Sequence, residues 1–173
     1  QMNMPRVSPD GRLVAFLSCI LSDRGSNGGD VLVMPLAGGP VRNLTAGYPS
    51  SVWAMQWAGD SAALDFLAFE QGEAALGRVG LDGEPTTRWR APVGLHDHFG
   101  GQFRARDAEV FAAVRASAAS PQEVWAAAPD AAGAPAWRQV SNLNPQVVRY
   151  TLGETRELRW QAPDGLELRG QLV

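Results

Sequence analysis

The chain has 173 residues, enough for one sizeable core, and its 45% hydrophobic and 19% charged residues are the balance of a globular protein. With 15 Lys+Arg against 18 Asp+Glu the net charge is −3, so there is no basic surface to suggest a nucleic acid partner. One cysteine, Cys19, excludes an intrachain disulfide and a multi-cysteine metal site; it is expected as a buried thiol in an apolar strand.

No stretch approaches the ~18 apolar residues of a membrane-spanning helix and nothing at the N-terminus resembles a signal peptide, which favours a cytoplasmic protein with no membrane partner. The chain opens on Gln1 and runs almost at once into a turn, as a piece of a longer protein would. The 19 Gly and 12 Pro are spread along the chain and predict many turns between short strands.

In chain order, Ser8-Pro9-Asp10-Gly11 is a tight turn, because proline presets φ, aspartate bonds the backbone two residues on, and glycine accepts positive φ. It feeds an apolar run from Arg12 to Ile20 of strand length. After a Gly/Ser/Asn-rich loop at 22–30 come a second strand at 31–36, a turn at Ala37-Gly38-Gly39-Pro40, and the closing segment Val41-Arg42-Asn43-Leu44-Thr45. The same order then repeats: an alternating strand at 52–57, the turn Ala58-Gly59-Asp60-Ser61, apolar strands at 63–69 and 76–81, and a closing segment at 86–89. A third round has strands at 99–104, 109–114 and 123–128, a turn around Arg106-Asp107-Ala108, and a closing segment at 137–141.

Asp10, Asp60 and Asp107 stand 50 and 47 residues apart, and Thr45 and Ser141 stand 96 apart, two steps of the same period. About four short strands per repeat with no capped amphipathic helix is the signature of propeller blades, which occur in series because one sheet cannot bury both its faces alone. A β-sandwich also has many short strands but does not require a repeated unit. The tail departs from the period: Glu157 to Ala162 and Leu166 to Leu172 alternate around Pro163-Asp164-Gly165, predicting a hairpin with one apolar and one charged face.

The expected fold is therefore all-β: an incomplete β-propeller of about three four-stranded blades followed by a C-terminal β-hairpin. Residues 1–145 are expected to form the partial propeller, with blades at 1–47, 50–92 and 95–143, and residues 146–173 an exit segment and hairpin.

The Ser8-Pro9-Asp10-Gly11-Arg12 turn, the Gly38-Gly39-Pro40-Val41-Arg42-Asn43-Leu44-Thr45 closing and the Trp57-Ala58-Gly59-Asp60 turn resemble the propeller of prolyl-oligopeptidase-type serine peptidases. The likeness is to the acylaminoacyl-peptidase and dipeptidyl-peptidase branch, whose small-residue Pro-x-Glu-Val-aromatic segment is matched by Ala118-Ala119-Ser120-Pro121-Gln122-Glu123-Val124-Trp125. Val140-Ser141-Asn142-Leu143-Asn144 and the strands from Leu158 to Val173 resemble the exit into the family's α/β-hydrolase domain. The resemblance implies a propeller that gates short peptides onto a catalytic domain absent from this chain. It supplies no catalytic residue here, since neither a Gly-x-Ser-x-Gly elbow nor a His-Gly-Gly segment is present. The expected partners are that hydrolase domain and, in the whole enzyme, short peptides; the alternative is a non-catalytic TolB-like propeller that binds protein or peptide.

Four features invite other readings. His96-Asp97-His98 offers two imidazoles on one face of a strand but no third ligand, so no metal site is expected, and no cofactor. Gly25-Ser26-Asn27-Gly28-Gly29-Asp30 lacks the Lys-Ser/Thr ending and helix of a phosphate loop and reads as an inter-strand loop. Asp10, Asp60, Asp107 and Asp164 read as turn formers, not acids. Trp53, Trp57, Trp89, Trp125, Trp137 and Trp160 read as blade packing. Three blades cannot close a ring of four to eight, so self-association through open faces or edge strands is also expected.

Overall fold

A computed structural model describes residues 2–19, 28–96, 103–105, 108–153 and 156–172. The strands are β1 (Met2–Val7), β2 (Leu13–Ser18), β3 (Asp30–Pro35), β4 (Arg42–Asn43), β5 (Ser51–Trp57), β6 (Ala63–Glu70), β7 (Glu73–Gly80), β8 (Pro85–Ala91), β9 (Gly94–His96), β10 (Phe111–Ser117), β11 (Ser120–Pro129), β12 (Pro135–Gln139), β13 (Arg156–Gln161) and β14 (Glu167–Leu172), with one 3₁₀ turn at Pro145–Arg149. They form three four-stranded antiparallel meanders, β1-β2-β3-β4, β5-β6-β7-β8 and β9-β10-β11-β12, and the hairpin β13-β14. This is the partial β-propeller with a terminal hairpin that the repeat predicts.

The repeated turns fold by local chemistry. Gly11 N–H donates to Ser8 O (2.9 Å), Ser61 N–H to Ala58 O (3.1 Å) and Gly165 N–H to Ala162 O (2.9 Å). In each, the aspartate Oδ1 accepts from the amide two residues on: Arg12 (3.1 Å), Ala62 (3.0 Å) and Leu166 (3.1 Å). The fourth aspartate of the series, Asp107, lies outside the described residues. Ser61 holds the positive-φ place that Gly11 and Gly165 hold in the other two turns, at φ 62°. Its hydroxyl accepts the Asp10 N–H (3.0 Å), tying the second blade's turn to the first.

The blades are held by burial. One core joins Ala15, Leu17, Val31 and Val33 of the first blade to Val52, Trp57, Leu64 and Phe66 of the second. Another joins Leu67, Ala74 and Leu76 of the second to Phe103, Phe111 and Ala127 of the third. The middle blade is covered on both faces, which is why β6 is a continuous buried run over its first six residues rather than an alternating one. Each fully buried Leu, Val or Phe contributes about 1.5–3 kcal/mol. Close approach demands glycine at two places. A Cβ at Gly77 would lie 2.2 Å from the Phe66 ring, and one at Gly29 would lie 2.2 Å from Ser18 O. Gly29 makes a two-way backbone bridge with Val52 of the next blade (2.8 and 3.1 Å), which is the structural use of the Gly-rich loop's last residues; the residues before Gly28 lie outside the described ones.

Several details differ from the sequence reading. β1 is a full strand although Pro5 sits inside it; as an edge strand broken by a bulge between Asn3 and Arg6, it does not need that amide. Ahead of the strand expected at 99–104 the third blade has β9, paired with β10 through Val114↔His96. Of that expected strand, 99–102 lie outside the described residues, while Arg104 bridges Phe111 and Phe103 O accepts Ala112 N–H (2.8 Å). Cys19 is half-buried at the end of β2 instead of in the core. Five tryptophans serve blade packing, but Trp160 is 49% exposed on the hairpin.

Candidate functional site

The chain leaves the propeller on the side of the β6–β7 and β10–β11 turns, and the exit is built on Glu123. This side chain sits on β11 and is 4% exposed. Its carboxylate accepts the Ser141 hydroxyl and the backbone amides of Leu143 (2.8 Å) and Asn144 (2.8 Å). Ser141 Oγ in turn accepts Val124 N–H (2.8 Å), and the Asn144 side chain donates to Gln122 O (3.1 Å). These hydrogen bonds, led by that of Ser141, hold the Glu123 carboxyl below the usual glutamate range. The glutamate of the Pro-x-Glu-Val-Trp segment is thus the clamp that fixes the exit strap to the third blade.

Two cavities flank the strap. One of about 420 Å³ is bounded by Pro121, Glu123, Trp125, Gln139, Asn142 and Tyr150. The other, about 580 Å³, lies between the turn residues Gln71, Gly72, Ser117 and Ala118 and the hairpin residues Glu157 and Arg169. On the hairpin's charged side Arg169 pairs with Glu167 (2.9 Å) and Glu157 (3.7 Å), and this cavity is lined from both sides of the hairpin, by Glu157 and Arg169 and by Gly170. The register stacks Leu158 across from Gly170 and Trp160 across from Leu168 on the other side. Leu158, Trp160 and Leu172 there are about half exposed, an amphipathic sheet with one bare apolar face.

Between the second and third blades, near the strap, four side chains stack in a row. Trp137 meets Trp89 (centroids 5.5 Å apart), and the Arg115 guanidinium lies 5.8 Å from the Trp89 ring and 4.3 Å from that of Trp125. At the opposite end of the same junction, Asp65 is fully buried on β6 and meets three arginines: Arg104 Nε at 2.6 Å, Arg78 Nη1 at 3.4 Å and Arg88 Nη1 at 3.8 Å. Glu109 completes the group by accepting from Arg78 (3.0 Å) and Arg88 (2.9 Å). Burial pushes the Asp65 carboxyl up despite the arginines, whereas the hydrogen bond from Arg88 pulls that of Glu109 down. This cluster ties blades together; its carboxylates are all engaged by arginine.

The four features that invited other readings fare unequally. Asp10, Asp60 and Asp164 are occupied in their turns. His96 lies in β9, but Asp97 and His98 lie outside the described residues. Asp30 closes the Gly-rich loop by accepting from Asn43 (2.7 Å) and Thr45 (3.1 Å). Asp65, Arg115 and Glu123 were not singled out by chemistry in the sequence. Only Asp65 carries a local signal, a lone charge inside the apolar run Ala63-Leu64-Asp65-Phe66-Leu67.

Three blades packed in series with a hairpin at the exit define the class: part of a β-propeller. The chain shares this fold with solved prolyl-oligopeptidase-family peptidases, as the resemblance implied. It is similar to AtxE2 isopeptidase at 19% identity and TM-score 0.66, over 93% of this chain and 24% of that one. It is similar to the acylaminoacyl peptidase of Pyrococcus horikoshii at 18% and 0.59, over 94% of this chain and 23% of that one. A TolB-like propeller described as putative TolB from Agrobacterium tumefaciens matches at 17% and 0.51, over 79% of this chain and 44% of that one. The chain thus spans about a quarter of the length of these peptidases. No protein-family model and no curated protein matches the sequence.

Proposed function

We propose that the chain is part of the substrate-gating propeller of a serine peptidase that cleaves short peptides, within the acylaminoacyl- and dipeptidyl-peptidase branch, and that the catalytic residues lie in an α/β-hydrolase domain outside it. The observation that carries this reading is the exit, a clamped strap followed by a hairpin with a half-exposed apolar face, which supports reading the hairpin as the first strands of a further domain. Coverage supports it too. The peptidase structures match 93–94% of the chain, the TolB structure only 79%. In this reading Leu158, Trp160 and Leu172 pack against the hydrolase domain, and the cavities on the exit side adjoin the space between the two domains.

The test is the polypeptide that continues from Val173. It should carry Gly-x-Ser-x-Gly followed by Asp and His. The whole protein should be labelled by a serine-directed fluorophosphonate, while the 173-residue chain alone should not. A continuation made only of further blades, or a stop codon, would favour the non-catalytic TolB-like propeller instead. Hydrolysis of aminoacyl or acyl-aminoacyl p-nitroanilides by the purified chain alone would contradict the assignment of the catalytic residues to another domain.

A further inference from the structure

Among the described residues of the exit side, Arg115 has chemistry left over. The register of β10 and β11 sets it directly across from Glu123, the natural ion-pair partner. Glu123, however, is committed to the Ser141 hydroxyl and to the amides of Leu143 and Asn144. No hydrogen bond or ion pair to Arg115 occurs among the described residues. Its nitrogens are not among the buried unsatisfied atoms either, so they reach solvent. The Arg115 guanidinium carbon lies over the Trp125 ring (4.3 Å to its centroid) and the Trp89 ring (5.8 Å), contacts that use up none of its N–H groups in hydrogen bonds. Partial burial destabilises the cation, an imbalance that an anion would offset. Arg115 lines neither exit-side cavity itself but lies beside both: Trp125, under its guanidinium, lines the 420 Å³ one, and Ser117, two residues beyond it, lines the 580 Å³ one.

We propose that Arg115 is a carboxylate anchor, taking the C-terminal carboxylate or an acidic side chain of a short peptide at the exit side of the propeller. A guanidinium already held against two indoles has less freedom to lose on binding than one free in solvent, and its fork can meet a carboxylate with two hydrogen bonds. This rests on the peptide-gating reading above and adds to it a preference for peptides bearing a carboxylate near one end.

The experiment compares four probes on the 173-residue chain, followed by NMR signals of the Arg115 side chain and the Trp125 indole: N-acetyl-Gly-Phe, its C-terminal amide, N-acetyl-Glu-Phe-amide, and acetate alone. The two carboxylate-bearing peptides should bind at least about tenfold more tightly than the plain amide, and whichever of them is tighter identifies the source of the carboxylate. Arg115→Met, which keeps the stem between the indoles, should remove this preference and leave the amide unaffected. Arg115→Lys should restore only part of it, for want of the fork. The acid-against-amide comparison on the unmodified chain decides the matter even if a variant fails to fold. Equal binding of acid and amide overturns the carboxylate anchor while leaving peptide gating standing. Acetate shifting Arg115 with no peptide binding keeps the anion site and removes the peptide reading. No response to any probe removes both.

Discussion

Ser61 shows how a single residue serves both a turn and a blade junction. At φ 62° a serine is strained where glycine would not be, yet its hydroxyl accepts the Asp10 amide. Ser61→Gly should relieve the backbone while deleting the bond, and the two effects should leave stability within about 1 kcal/mol of the original. Ser61→Ala keeps the strain and loses the bond, so it should cost about 1–2 kcal/mol. Urea denaturation of both variants checks this, and an alanine variant as stable as the glycine one would contradict it. Turn residues of this kind were legible because their chemistry is local: Asp10, Asp60 and Asp164 each bond an amide two residues away. Arg115 and Glu123 were not legible as a pair, because only the register brings them opposite and only the strap's return takes Glu123 away.

At the scale of the element, the strap depends on one carboxylate, so acid should release it. The Glu123 carboxyl is lowered in the folded chain; its contribution is therefore present above the ordinary glutamate value and lost as pH falls through the lowered one. Asp65 has the opposite sign. Its carboxyl is raised, so its contribution is greatest at low pH and is lost as pH rises through the raised value. Acidification should accordingly loosen the strap at 141–150 while leaving the contribution of Asp65 between the second and third blades in place. The amide proton shifts of Leu143 and Asn144 should titrate with an inflection below the ordinary glutamate range, and Glu123→Gln should give the acid-like shifts at neutral pH. Amides that do not respond to either change would show that the strap is held by something else. Strands were legible where burial on both faces or strict alternation marks them, as in β6 and in the hairpin. β1 escaped because Pro5 and a bulge mask its alternation, and β9 because three residues carry too little pattern.

For the whole molecule, the two ends of the blade series decide what the isolated chain does. Ala15, Leu17, Val31 and Val33 face the second blade, so the register turns Val14, Phe16, Leu32 and Met34 to the outer face of the first. At the other end Phe111 and Ala127 face inward, which turns Ala112, Val114, Val124 and Ala126 outward. The first face is large-sided and the second small-sided, the relation of opposite blade faces that must pack in series. A junction between them is heterologous, and heterologous junctions close into rings when the rotation between successive units allows it. Two copies of three blades make six, within the range of four to eight that propellers close at. We expect the 173-residue chain to self-associate, with a dimer as the dominant species by light scattering. Phe16→Lys and Val124→Lys should each give monomers, because each spoils both junctions of the pair. Mixing the two variants should restore association, since a Phe16→Lys copy still offers an intact third-blade face to the intact first-blade face of a Val124→Lys copy. A stable monomer of the unmodified chain at high concentration would refute the pairing. Association that survives both lysines would transfer it to another exposed apolar surface, such as the hairpin face of Leu158, Trp160 and Leu172.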